Sequence, residues 1–135
     1  MREILFRGKN KHDGKWFYGF SVLDKNGQSW IFTGEVLSSF SMAGEWSRTP
    51  VDSDTVGQYT GLRDKNDVKI FEGDIVKGHY YKAGVRKRLV GKVAFGYNGW
   101  IIEGLKQYKG TAERLTVSYE IIGNVHENPE LLEVE

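Results

Sequence analysis

Cysteine is absent from the 135 residues, which excludes disulfides, thiolate metal sites and catalytic thiols. Proline occurs only twice and histidine three times. His12, His79 and His126 stand far apart, and none has a second histidine at i+3 or i+4, so no zinc-binding helix is indicated. No stretch approaches the ~18 apolar residues of a membrane helix. The opening "MREILFRGKNKHDGKW" alternates charge with short apolar pairs, so it is not read as a secretory signal, and the expected compartment is the cytoplasm. Neither sign of charge dominates: 19 basic side chains face 18 acidic ones, so an electrostatic partner must meet a local patch.

What is abundant is glycine (17) and aromatic residues (4 Trp, 7 Tyr, 7 Phe). Together with the scarcity of proline they favour many short strands joined by tight turns, hence a mainly β protein of one domain, residues 1–135. Strands are predicted at 2–7, 15–23, 28–34, 55–60, 74–81, 85–95, 100–104 and 116–122. Residues 35–54 read as a short helical piece followed by a polar loop. In "LKQYKGTAERL" a helical turn is predicted, and "ENPELLEV" predicts a one-turn helix with Asn128 as N-cap and Pro129 at its first position.

Four acids, Asp64, Asp67, Glu72 and Asp74, crowd "TGLRDKNDVKIFEGD" (60–74). They invite a metal-dependent hydrolase reading, with carboxylates as ligands for a hard cation. A calcium loop counted from Asp64 fails, with Lys69 where glycine is needed and Ile75 where the bidentate Glu belongs. The same chain also contains "DKNG" at 24–27, which differs from "DKND" at 64–67 in one position. Both read as turns in which Asp24 or Asp64 bonds the backbone ahead, with Asn26-Gly27 or Asn66-Asp67 supplying the left-handed residue. Gly73 and Asp74 read as a second tight corner, and Asn98-Gly99 as a further hairpin turn. On this reading there is no catalytic residue, no metal, no cofactor and no identified small-molecule substrate. "GVRKRLVGKV" breaks the phosphate-loop spacing, and no serine sits in a nucleophile elbow.

Residues 75–102 carry Lys77, Lys82, Arg86, Lys87, Arg88 and Lys92 and no acid. Tyr80, Tyr81, Phe95, Tyr97 and Trp100 interleave with them. Cations for phosphates and rings for bases make Lys77, Tyr80, Lys82, Arg86, Lys87, Arg88, Lys92 and Trp100 a candidate nucleic-acid surface. The competing reading has the cations guarding a sheet edge, or meeting the acidic C-terminal segment of another subunit. Period-2 alternation puts Val85 and Lys87 on the same face, so not every cation of "VRKRLV" can meet one partner. The first hairpin carries Trp16, Phe17, Tyr18, Phe20, Trp30 and Phe32 across both faces, more than one small core needs, and an oligomer seam is expected from the excess.

"VDSDTVGQYTGLRDKNDVKIFEGDIVKG" (51–78), the opening "MREILFRGK" and the closing "EIIGNVHENPELL" (120–132) resemble the YopX family of phage and prophage proteins along essentially the whole chain. The resemblance implies an SH3-like barrel over 51–135, preceded by N-terminal strands in 1–50 that include a hairpin. It further implies self-association, a bacterial host cytoplasm, and no established activity or catalytic residues. Asp67 stands where the family usually has Gly, and fold likeness by itself assigns no task.

Overall fold

In the computed structural model, which describes residues 3–36, 46–96 and 98–132, eleven strands and three single-turn 3-10 segments are present. They fall into two compact units, Met1–Tyr59 and Thr60–Glu135. No helix among the described residues is long and apolar enough to cross a membrane.

The first unit contains β1 (Phe6–Lys9), β2 (Trp16–Leu23), β3 (Ser29–Val36) and β4 (Trp46–Val51), all antiparallel, in the order β4-β3-β2-β1. The start of β5 (Gly57–Arg63) adds to β1, with Phe6 opposite Gln58 and Arg7 opposite Gly57. β1 begins four residues later than its sequence suggests and runs to Lys9, with Ile4 left exposed. Instead of the loop predicted for 46–51 there is strand β4, whose Val51 is buried beside Ile31 in this unit's core. The short helical piece predicted upstream falls on residues outside those described. After β4, Asp52 caps the 3-10 turn Ser53–Thr55, and the Thr55 hydroxyl accepts the Lys9 amide at 2.9 Å.

In the second unit, β7 (Asp74–Lys82), β8 (Val85–Gly96), β9 (Gly99–Gly104), β10 (Ala112–Arg114) and β11 (Glu120–Asn124) form an antiparallel sheet ordered β10-β9-β8-β7-β11. The later residues of β5 run beside β6 (Lys69–Phe71). Ile70, Val76, Leu89, Val93, Ile102, Leu115 and Tyr119 make the core. Val76, Leu89, Val93 and Ile102 reach it from one face of the sheet, as their register requires. The last strand starts four residues later than expected, because Thr116–Ser118 is exposed and Tyr119 turns into the core. The helical turn within 105–115 is a 3-10 turn at Lys106–Tyr108, followed by β10. Asn128 does precede the terminal 3-10 turn, but its Oδ1 accepts the Asn124 amide at 3.1 Å rather than capping that turn.

The mainly β expectation therefore describes the chain. Both sheets are open, and among the described residues none closes on itself, in contrast to the barrel implied by the resemblance. An even alternation of short strands is compatible with open sheets and with a barrel alike; edge pairing alone distinguishes them.

Candidate nucleic-acid interface

The acid-rich segment is built as two bends. In the first, Asp64 donates its amide to Val68 O (2.8 Å), and its carbonyl accepts the Asp67 amide (2.9 Å). Asp64 Oδ1 accepts the amides of Asn66 and Val68 at 2.8 and 3.0 Å, while Oδ2 accepts the Ile121 amide of β11 at 3.0 Å. Asp67 takes φ 66°. The bend at Asp24 repeats this pattern: Oδ1 accepts from Asn26 and Gln28 at 2.8 and 2.9 Å, and Gly27 holds φ 83°. The second Asp24 oxygen takes the Trp30 indole N–H at 3.0 Å, and that bond, first among several, holds the carboxyl below its ordinary value. Gly73 has φ 92°, and buried Asp74 accepts the Phe71 amide at 2.8 Å. Gly99 has φ 118° and pairs with Gly96 across a two-residue connection that includes exposed Asn98. Among the described residues no three His, Asp or Glu side chains gather as metal ligands would.

Asp67 is exposed in the left-handed region, which costs an L-residue with a Cβ and costs glycine nothing. Its ion pair with Arg63, 3.8 Å long between exposed groups, is worth little. Asp67→Gly should stabilise the protein by up to ~1 kcal/mol. Thermal melting checks this, and a lower melting temperature would mean that the Asp67 side chain holds something other than the turn.

The basic segment is the β7–β8 hairpin. Its turn, Ala83-Gly84, has φ 51° and 78°, both positive, as the tight turn of a two-residue hairpin needs. Residues 81–88 are all exposed. Pairing of Ile75 with Lys92, Lys77 with Val90, His79 with Arg88 and Tyr81 with Arg86 sets Lys77, His79, Tyr81, Arg86, Arg88 and Lys92 on one face. The other face carries Tyr80, Lys82, Val85, Lys87 and, farther down, Leu89. The candidate set is thus divided, with Lys77, Arg86, Arg88 and Lys92 on the first face and Tyr80, Lys82, Lys87 and Trp100 on the second. Tyr80 and Trp100 are half-buried against the core, and Trp100 meets Phe95 edge-on with ring centroids 5.0 Å apart. The ring that accompanies the cations is Tyr81, 71% exposed. Stepping by two from Lys77 through His79 to Tyr81 is the signal that would have found it.

Charge on this hairpin is unevenly neutralised. Glu120 lies 3.7 Å from Lys77 and 3.5 Å from Lys65, and Glu103 lies 3.8 Å from Lys92. Lys92 also lines a cleft of about 450 Å³ with Lys106 and Lys109. Toward the tip, Lys82, Lys87 and Arg88 make no ion pair among the described residues, and Arg86 meets His79 Nδ1 at 3.3 Å. Loss of hydration first, then the charges of Arg86, Arg88 and Lys65, pull the His79 pKa below its ordinary value.

An open-sheet, antiparallel β protein with a protruding cationic hairpin is the class that these features define. The chain belongs to the YopX family: the model described as "YopX protein" matches residues 5–133. Among solved structures it is similar to protein EF1440 from Enterococcus faecalis, with a TM-score of 0.54 and 24% identity over 98% of this chain and 100% of that one. That likeness concerns the fold alone. No curated protein sequence matches the chain.

Proposed function

We propose that this is a non-enzymatic accessory protein, phage- or prophage-encoded and working in the bacterial host cytoplasm, that binds nucleic acid through the β7–β8 hairpin. The observation that carries the reading is the run of unneutralised cations at 82–88 on a solvated ribbon. β7 and β8 are interior strands of their sheet up to the Lys77 and Gly91 pairs, and only the tip beyond, which β9 and β11 do not flank, has open edges for cations to guard. Among the described residues the acids that pair with the basic segment, Glu120 and Glu103, engage Lys77 and Lys92 at its root rather than its tip.

If about four phosphates are neutralised, the logarithm of affinity should fall with the logarithm of salt at a slope of about −3 to −4. Replacing Arg86, Lys87 and Arg88 together by Ala should flatten that slope, read by fluorescence anisotropy with DNA and RNA oligomers. Absence of binding to every single- and double-stranded polymer in low salt would end this reading.

Self-association is supported by a separate observation in the first unit. Tyr18, Phe20 and Val22, each 44–55% exposed, alternate along one face of β2. Opposite them Phe32 pairs with Phe20 and Trp30 with Val22, so these rings form one continuous apolar strip. Arg48 stacks over Trp30 at 4.2 Å. An exposed face of this kind is suited to an isologous contact with the same face of a second copy. Phe20→Glu should convert the oligomer to monomer, measured by light scattering on a sizing column, and an unchanged mass would remove this face from the contact.

A further inference from the structure

We propose that the tip of the β7–β8 hairpin enters the major groove of duplex DNA; this rests on the nucleic-acid reading above and specifies its ligand. Three observations point there. First, the tip is a two-stranded arm that no third strand flanks, with Tyr80 at its base resting on the core and residues 81–88 exposed. β9 follows β8 only as far as the Gly91–Gly104 pair, and β11 follows β7 only as far as Glu120–Lys77. Beyond them His79, Tyr80, Tyr81 and Lys82 pair solely with Arg88, Lys87, Arg86 and Val85. Four such pairs extend about 13 Å at the usual strand rise, enough to traverse a groove about 8.5 Å deep.

Second, the cations occupy both faces of the arm, Arg86 and Arg88 on one and Lys82 and Lys87 on the other. A single strand laid on a sheet meets one face only. Cations on both faces match a cleft with phosphates on both walls, which is what a duplex groove provides. Third, the dimensions select the groove. A ribbon of two strands, about 5 Å apart before side chains are added, is admitted by a major groove about 12 Å wide, whereas the minor groove of about 6 Å must first be opened. The major groove of an RNA duplex is deep and narrow, which disfavours it as a host. Arg86 and Arg88 are suited to the paired acceptors of guanine, and exposed Tyr81 and Val85 to thymine methyl groups.

The test compares the full-length protein with Arg86→Ala/Arg88→Ala and Lys82→Ala/Lys87→Ala, one pair per face, on a mixed-sequence DNA duplex, its single strand and the matching RNA duplex in low salt. These side chains are exposed, so folding should persist, and melting curves verify it. Expected are DNA-duplex binding at least about tenfold tighter than to the other two polymers, and about tenfold loss from each pair of substitutions. Dimethyl sulfate should find guanine N7 protected and adenine N3 reactive. Equal or tighter binding to single strand or RNA duplex, a loss confined to one face, or protection of adenine N3 would overturn the groove assignment while leaving the nucleic-acid reading in place. Absence of binding to all three polymers would overturn both.

Discussion

Asp64→Ala should destabilise the protein by about 2–4 kcal/mol and lower its melting temperature by roughly 10 °C. The side chain is only 5% exposed, and its two oxygens accept three backbone amides: Asn66 and Val68 within the bend and Ile121 on the last strand. Alanine leaves those donors without a partner where water has little access, and the penalty for an unmet buried donor exceeds the net worth of the bond itself. Asp64→Asn separates the two roles. Its amide oxygen can still serve Asn66 and Val68, but its NH2 then confronts the Ile121 N–H, donor against donor. An intermediate loss with faster hydrogen exchange at Ile121 is expected. Asp24, in the matching bend but less enclosed, should tolerate Ala better.

Acidity provides an independent check on Asp64. Burial raises its pKa, but the amides of Ile121, Val68 and Asn66, and then Lys65, lower it more, leaving it below the ordinary 3.8. The unfolded chain therefore takes up a proton at higher pH than the folded one. The carboxylate's contribution is fully present above about pH 4 and is lost as pH falls through the lower, folded value. Asp64→Ala should lack that part of the acid destabilisation. An unchanged acid limb in the variant would mean that the three amides do not depend on this charge.

Gly91→Val should have an effect of similar size, about 3 kcal/mol or more. A Cβ on Gly91 would stand 2.3 Å from the Glu103 carbonyl oxygen and 2.6 Å from Ile102 Cγ2. The first obstacle is the backbone of the paired strand β9, which cannot move aside without breaking the ladder between β8 and β9. Gly91 is buried at the root of the arm, between Leu89 and Val93. Chemical denaturation would measure the loss, and Gly91→Ala should already cause part of it. If valine were tolerated, β8 and β9 would have to lie farther apart at this point than their register implies.

The bends at 24–28 and 64–68 were legible in the residues because a turn is a local object. Asp, Asn and Gly act on amides two to four positions away, and the repeated "DKN" shows the same solution twice. What the tetrapeptide could not reveal is the third bond, from Asp64 Oδ2 to Ile121, 57 residues distant. The strand β4 was missed for a related reason. "WSRTPV" contains a proline, which reads as a break, yet β4 is the last strand in its sheet's order, and an edge position tolerates a missing donor. In the candidate site, charge and aromatic content marked a segment that forms the β7–β8 hairpin, and alternation correctly paired Val85 with Lys87 on one face. It did not indicate which face meets the core, because the arm extends beyond its flanking strands and both faces of its tip are wet.

By itself, then, the order of residues determined the β class, the principal turns and the segment where positive charge accumulates, since each depends on neighbours within a few positions. Tertiary structure alone decided that the sheets stay open, that Tyr80 and Trp100 pack inward while Tyr81 faces solvent, and that Glu120 and Glu103 stop short of the arm's tip. Those outcomes depend on which distant strands pair and in what register. A shift of one residue in that pairing reverses every side chain, and nothing local specifies it.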